Sequence, residues 1–78
     1  MNKINKIKVG VIGLGVGEAH INSYQSIPEV EVLSICDLNK SRLKEIGDKY
    51  NIPNRYDCSK KITEDAKIDL VSICSYDN

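Results

Sequence analysis

The chain has 78 residues, enough for one small domain at most, and its eleven basic and eleven acidic side chains give a formal net charge of zero. A balanced charge lacks the cationic surface of a nucleic-acid or membrane-surface binder, so we expect neither partner. The longest apolar stretch, residues 9–16, is broken by glycines and is far shorter than the roughly 20 residues of a spanning helix. The basic N-terminus runs into this glycine turn instead of the apolar core of a secretory signal, which predicts a cytoplasmic protein.

The three cysteines, Cys36, Cys58 and Cys74, lie far apart and have neither Cys-x-x-Cys spacing nor a nearby histidine. Metal sites and redox pairs need such spacing. We therefore expect reduced thiols and no metal site.

Strand-like and helix-like patterns alternate along the chain. Apolar, β-branched runs predict strands, helical spacing of apolar residues predicts helices, and Pro28 ends the first helix. The predicted elements are a strand at 7–12, a helix at 18–26, a strand at 30–36, a helix at 40–50, a short strand at 54–57, a short helix at 59–65 and a strand at 68–74.

The two longer helices differ in how clearly the sequence marks them. In the first, Ala19, Tyr24 and Ile27 fall near helical spacing. The second has Asn39 as a good N-cap and Asn51 for a left-handed C-terminal position. Gly47 within it indicates either close packing of the helix on the sheet or no structural requirement at all.

This alternation predicts an α/β fold made of right-handed βαβ units. In the Rossmann order 3-2-1-4-5-6, the chain supplies the first four strands, so we expect a partial Rossmann fold with a parallel sheet in the order 3-2-1-4 and flanking helices. Strand four would then be an open apolar edge, which favours self-association. We interpret residues 1–78 as the N-terminal part of a dinucleotide-binding domain.

A glycine-rich turn follows the first strand, where such folds bind a pyrophosphate. Gly13 begins the tight turn, Gly15 removes a side chain that would block the phosphates, and Leu14 and Val16 complete the backbone. The usual G-x-G-x-x-G spacing would place the third glycine at 18, but it stands one residue earlier, at Gly17. The turn therefore departs from the common motif.

Asp37 ends the second strand 22 positions after Gly15, close to the separation at which an acid binds the adenine-side ribose. A carboxylate there repels a 2′-phosphate, so NAD is favoured over NADP, although Lys40 and Arg42 are near enough in sequence to bind a phosphate. The alternative for Asp37 is an acid that caps the following helix.

Three segments of the chain resemble the glucose-fructose oxidoreductase and inositol dehydrogenase family (Gfo/Idh/MocA). They are VGVIGLGVGEAH at 9–20, VLSICD at 32–37 and DLVSICSYDN at 69–78. The resemblance implies NAD(P)-dependent oxidation or reduction of a sugar, cyclitol or related carbonyl. It also places Ser75 and Tyr76 beside the cofactor, where the family usually has Thr-Pro.

The same resemblance implies that the catalytic lysine and histidine, and the C-terminal substrate domain, lie beyond residue 78. No catalytic residue can therefore be assigned, and we expect the chain alone to be inactive.

Two other functions fit the glycine turn. S-adenosylmethionine methyltransferases use a similar loop, but the acid that normally precedes it is replaced here by Val11. A non-catalytic nucleotide-binding module is the third interpretation.

Overall fold

The computed structural model describes residues 6–74, in which four strands and three helices alternate. The elements are β1 (Ile7–Ile12), α1 (Leu14–Gln25), β2 (Val30–Cys36), α2 (Lys40–Tyr50), β3 (Asn54–Tyr56), α3 (Lys60–Thr63) and β4 (Leu70–Ile73). The strands form one sheet in the order β3-β2-β1-β4, and every neighbouring pair is parallel. The predicted partial Rossmann fold is therefore confirmed.

The start of α1 corrects the sequence prediction. The helix begins at Leu14, four residues before the predicted start, because Gly13 turns the chain directly from β1 into the helix. Gly13 has a φ of 89°, a conformation that costs glycine little. Because glycine has no side chain, no polar capping residue in the sequence marks the start of the helix.

The inward face of α1 also differs from the expected one. Leu14, Gly17 and Ile21 are buried, whereas Ala19 and Ile27 are exposed and Tyr24 is half-buried. Moving the helix start to Leu14 brings the 14, 17, 21 spacing onto one face, which packs against the sheet.

The two faces of the sheet are covered by different helices. α1 and α2 pack against each other on the face that presents Val9 and Val11. Gly10 points to the other face, where α3 places Ile62 against it so closely that any Cβ would collide. None of the helices within residues 6–74 is long and apolar enough to cross a membrane.

An irregularity in β2 fits its side chains to the core. Val9 pairs with Val32, but Gly10 pairs with Ser34, so the register skips one residue of β2. A skipped residue reverses the alternation of side chains, which lets both Val32 and Ile35 enter the same core.

α2 follows the prediction from its capping residues. The Asn39 side chain accepts a hydrogen bond from the N–H of Arg42 at 3.1 Å, and Asn51 has a φ of 57°. At Gly47, a Cβ would collide with the side chain of Arg55 on β3. Of the two interpretations of Gly47, the structure therefore favours close packing on the sheet.

Candidate functional site

The carboxyl ends of the strands meet at one edge of the sheet. Three backbone hydrogen bonds join neighbouring strand ends. The N–H of Gly13 donates to the Cys36 carbonyl at 2.9 Å, that of Asp37 to the Tyr56 carbonyl at 3.2 Å, and that of Cys74 to the Ile12 carbonyl at 2.7 Å. Ligands of open α/β sheets bind at this edge. The glycine turn and Asp37, which are 24 positions apart in the sequence, are brought together there.

The N-terminus of α1 presents backbone N–H groups at this edge. The helix's own hydrogen bonds begin at Gly17, whose N–H donates to the Gly13 carbonyl at 3.1 Å. The N–H groups of Leu14, Gly15 and Val16 therefore precede the helical ladder. Such groups, with the positive end of the helix dipole behind them, are suited to an anionic group such as a phosphate.

Gly17 packs α1 closely against the sheet. A Cβ at this position would lie 2.9 Å from Cγ1 of Val11 and 3.6 Å from Cβ of Cys74, which is too close to the buried valine. This is the helix-packing role of the third glycine in the dinucleotide fingerprint. Gly17 thus performs it despite the shortened spacing.

Asp37 lies against the start of α1. Its Oδ2 accepts the N–H of Leu14 at 2.9 Å and its Oδ1 accepts the N–H of Asn39 at 2.8 Å. Only 11% of the side chain is exposed. The carboxylate therefore supports the turn before α2, whose N-cap is Asn39, and also reaches the glycine turn.

The other predicted site residues are placed in different ways. The side chain of Leu14 is buried in the core and that of Val16 is exposed, so these residues offer backbone groups to the edge of the sheet. Ser75 and Tyr76, which the resemblance placed beside a cofactor, lie outside the described residues.

Arg42 contributes a cation that the sequence prediction left as an alternative. Its Nη1 is 3.7 Å from Oδ2 of Asp37, and a Cβ built on Gly15 would lie 3.4 Å from the same nitrogen. The guanidinium thus extends from α2 across the glycine turn. Its position in the first turn of a capped helix beside Asp37 was the available sequence signal.

Glu18 does not face the site, although it follows the glycine turn. Its Oε2 accepts hydrogen bonds from Nζ of Lys49 at 2.7 Å and from the hydroxyl of Tyr50 at 3.0 Å. These two hydrogen bonds, the lysine's first, lower the pKa of Glu18 from its ordinary value. The carboxylate is therefore held on α2 and leaves the helix N-terminus clear.

A groove of about 390 Å³ adjoins the site at the edge formed by β3. It is lined by Lys40, Leu43, Lys44, Arg55, Tyr56, Asp57 and Lys61. Tyr56 connects it to the site, because the Tyr56 carbonyl accepts the N–H of Asp37. Cationic side chains dominate its polar lining.

The three cysteines are free thiols and occupy different environments. Cys36 is buried, Cys74 is half-buried and Cys58 is exposed. Burial raises the pKa of the Cys36 thiol, and the neighbouring Asp37 charge adds to this effect. Across residues 6–74, no group of three His, Cys, Asp or Glu side chains is arranged to hold a metal ion.

The arrangement suits a ligand that carries both a phosphate group and neighbouring hydroxyl groups. The helix N-terminus offers donors to the phosphate, and the Asp37 carboxylate can accept hydrogen bonds only. A ribose beside a pyrophosphate has this combination of groups.

Comparison with known proteins agrees with this chemistry. Residues 7–78 match the model of the Gfo/Idh/MocA oxidoreductase family, described as having an NAD-binding Rossmann fold. The chain is 32% identical over 73 residues to myo-inositol 2-dehydrogenase of Thermotoga maritima, covering 92% of this chain and 22% of the relative.

Solved structures show the same likeness. A probable dehydrogenase from Thermotoga maritima has a TM-score of 0.85 and 31% identity, over 88% of this chain and 21% of that one. Myo-inositol dehydrogenase from Lactobacillus casei, in complex with NAD(H) and myo-inositol, has a TM-score of 0.83 and 27% identity, over 91% of this chain and 22% of that one.

The chain therefore spans about a fifth of the length of these relatives. The matches do not favour the methyltransferase alternative. The family match and the identity to curated relatives lead to one conclusion: this chain belongs to the Gfo/Idh/MocA oxidoreductase family with an NAD-binding Rossmann fold.

Proposed function

We propose that this chain binds NAD(H) as the nucleotide-binding part of an oxidoreductase that acts on a sugar, cyclitol or related alcohol or carbonyl. One observation carries the proposal: Oδ2 of Asp37 accepts the first N–H of α1 at 2.9 Å, so the acid and the helix N-terminus meet at one point. A dinucleotide presents its adenine-side ribose and its pyrophosphate a few atoms apart, which matches this pairing.

In this proposal, the backbone of residues 13–17 cradles the pyrophosphate. The N–H groups of Gly15 and Val16 donate to its oxygens, and that of Leu14 joins them when Asp37 turns toward the ribose. Gly13 forms the turn and Gly17 holds the helix at its close distance to β1. Ser75 and Tyr76 belong to the proposed site through the family resemblance alone.

Asp37 supplies the preference for NAD over NADP. Its carboxylate accepts hydrogen bonds from the ribose hydroxyl groups, and its negative charge repels a phosphate on the same ribose. Bound NAD supplies the two-electron oxidant for the reaction. The chain's own contribution is to orient that cofactor.

The proposed substrate class is inferred from the names of the relatives and not from a pocket in this chain. Myo-inositol is named for both the Thermotoga maritima enzyme and the Lactobacillus casei complex. We assign residues 1–78 to the N-terminal part of the dinucleotide domain, assign no catalytic residue, and expect the isolated chain to be inactive.

The cellular setting and the association of the chain are also part of the proposal. Cytoplasm is the compartment where thiols such as Cys36, Cys58 and Cys74 remain reduced. The outer edge of β4, with which no other strand of residues 6–74 pairs, is the proposed surface for self-association of the chain, because such an edge offers unpaired backbone groups.

Titration with NADH, NADPH and S-adenosylhomocysteine tests the proposal, with binding followed by nucleotide fluorescence or calorimetry. We expect NADH to bind most tightly, and Asp37→Ala to weaken it by about tenfold or more, because hydrogen bonds to a charged acceptor are lost. Glu45→Ala is the control, since it removes one exposed acid from α2 outside the proposed site.

Circular dichroism of each variant separates loss of binding from loss of folding. NADH affinity that is equal in the folded Asp37→Ala and Glu45→Ala variants would contradict the assigned role of Asp37. Tighter binding of S-adenosylhomocysteine than of NADH would contradict the proposed cofactor.

A further inference from the structure

We propose that the outer edge of β3 and the groove beside it bind an extended acidic segment of a partner protein, which joins the sheet as an added strand. This site is separate from the proposed dinucleotide site. In such a complex, main-chain hydrogen bonds to the edge of the sheet give affinity, and the side chains of the added strand give specificity.

The backbone at the outer edge of β3 is the first step. Among the strands of residues 6–74, β3 pairs with β2 alone. The Tyr56 carbonyl accepts the N–H of Asp37 and therefore points toward β2. Because successive residues of a strand direct their backbone groups to opposite sides, the N–H and C=O of Arg55 point away from β2. An added strand can pair with these two groups.

The position of β3 in the sheet keeps this edge outermost. In the Rossmann order 3-2-1-4-5-6, the third strand has a neighbour on one side only. Further strands of that order extend the sheet beyond β4 and not beyond β3. The β3 edge is therefore the one at which a partner, and not this fold, provides the next strand.

The groove beside β3 combines apolar and cationic side chains. Its apolar lining is Leu43 of α2 and Tyr56 of β3, which are both half-buried. Its charged lining consists of four cations and one acid: Lys40, Lys44, Arg55, Lys61 and Asp57. This balance of charge attracts an acidic ligand.

Two of the four cations are not engaged by acids of the chain. Lys44 and Arg55 both pair with Asp48, at 2.9 and 2.8 Å. Lys40 and Lys61 are exposed, and neither forms an ion pair with another residue of the range 6–74. These two lysines can therefore pair with carboxylates of a ligand.

The two lysines belong to helices on opposite faces of the sheet. Lys40 lies on α2, which covers the face that presents Val9 and Val11, and Lys61 lies on α3, which covers the other face. Consecutive side chains of a strand point alternately to the two faces. An added strand that pairs with both lysines therefore carries acidic residues at neighbouring positions.

A second copy of this chain does not provide such a strand. The longest acidic run in the 78 residues is the pair Glu64-Asp65. The other edge strand, β4, exposes the apolar side chains of Leu70 and Ile73. Lysines beside a strand edge also oppose pairing between identical edges. The occupant that fits the charge is therefore an acidic segment of a different protein.

A fluorescently labelled acidic peptide of about six residues, the usual length of a strand, is the probe. Its sequence alternates pairs of glutamates with single valines, which places carboxylates on both faces. We expect the double variant Lys40→Ala, Lys61→Ala to lower the affinity of the purified protein for this peptide by about tenfold, because two ion pairs are lost.

The double variant Lys6→Ala, Lys67→Ala is the matched control. It removes the same charge from two exposed lysines that do not line the groove. We expect it to lower the peptide affinity by less than about twofold, because salt screens distant charges. Thermal unfolding checks that each variant is folded. Equal losses of affinity in the two double variants would overturn the site in favour of general charge attraction.

N-methylated peptides test the strand pairing separately from the charge. Two forms, methylated at the odd or at the even positions, keep every carboxylate but lose alternate main-chain donors. We expect one form to bind about threefold or more weakly than the unmethylated peptide, because its methyl groups face β3. Exchange of the Arg55 amide hydrogen should slow when the unmethylated peptide binds. Equal affinity of all three peptides would overturn the addition of a strand.

Two competitors test the separate role of the site and the class of partner. Saturating NADH should leave the peptide affinity unchanged, and displacement of the peptide by NADH would assign the groove to the dinucleotide site instead. A single-stranded DNA oligonucleotide that displaces the peptide and binds more tightly would overturn the choice of a protein partner. A folded protein with no measurable affinity for the peptide would overturn the proposal, and the lysines would then only protect the edge from pairing.

Discussion

At the scale of single residues, the three glycines of the turn have separate structural roles. Gly13 supplies a φ of 89°, which other residues rarely adopt. Gly17 allows the helix to approach Val11, and Gly15 leaves the surface that Arg42 covers. The motif is therefore a set of local requirements, of which only the one at Gly17 concerns packing between the helix and β1.

That packing requirement predicts a large cost for Gly17→Val. Its Cβ would meet Cγ1 of the fully buried Val11 at 2.9 Å, so either α1 or β1 must move. We expect a loss of about 1–3 kcal/mol in the free energy of unfolding, measured by urea denaturation. Ala19→Val, on the exposed side of the same helix, introduces the same β-branched side chain without the clash and should cost about 0.5 kcal/mol. Equal losses in the two variants would contradict the packing role.

At the scale of secondary-structure elements, α1 and α2 are joined at their surface by a small polar cluster. It consists of the Glu18 carboxylate with Lys49 and Tyr50, and the Gln25 side chain also donates to the Tyr50 carbonyl at 3.0 Å. This cluster adds a polar contact to the apolar packing between α1 and α2. Its ionisation links the helix–helix contact to pH.

The lowered pKa of Glu18 predicts an acid-sensitive contribution to stability. The folded carboxyl binds a proton less readily than the unfolded one, whose pKa is near 4.5. The contribution is therefore present above pH 4.5 and is lost as the pH falls through the folded pKa. Because the group is partly open to solvent, which screens its charge, we expect a small effect. The difference in Tm between the unchanged protein and Glu18→Gln should shrink between about pH 6 and pH 3.

Comparison with a second variant isolates this effect. Asp48 also has a lowered pKa, chiefly through its hydrogen bonds with Lys44 and Arg55, and it contributes acid sensitivity to both proteins. Ala19→Gln, on the exposed side of α1, changes no ionisable group and should show no such narrowing. A Tm difference between the unchanged protein and Glu18→Gln that stays constant over the whole acid range would refute the assignment to Glu18.

The elements differ in how far their sequence determines them. α2 could be predicted to the residue because Asn39 and Asn51 mark its ends with side-chain and left-handed caps. The start of α1 could not, since Gly13 caps it through backbone geometry alone. The role proposed for Asp37 could be predicted from the position of this residue directly after β2. The approach of Arg42 to Gly15 depends on how α2 packs against α1, which local patterns do not encode.

At the scale of the whole molecule, the two edge strands of the sheet differ in their exposure. All three residues of β3 are half-buried, and Arg55 of β3 hydrogen-bonds to Asp48 of α2 at 2.8 Å. β4 pairs with β1 on one side, and within residues 6–74 no strand pairs with its other side. Leu70 and Ile73 of β4 are 47% and 69% exposed. An apolar, unpaired strand of this kind is a surface for further strand pairing.

The free edge predicts that the 78-residue chain alone self-associates as its concentration rises. Light scattering after size-exclusion chromatography, under reducing conditions that prevent disulfides through the exposed Cys58, measures the mass directly. Ile73→Lys should shift the chain toward monomer, because a charge on an edge strand opposes edge-to-edge pairing. Ile27→Lys is the control: Ile27 is also exposed, at 42%, but lies between α1 and β2. A chain that stays monomeric at every concentration would exclude pairing through β4. Equal shifts of the measured mass toward monomer in the two variants would assign the association to general hydrophobicity instead of to the strand edge.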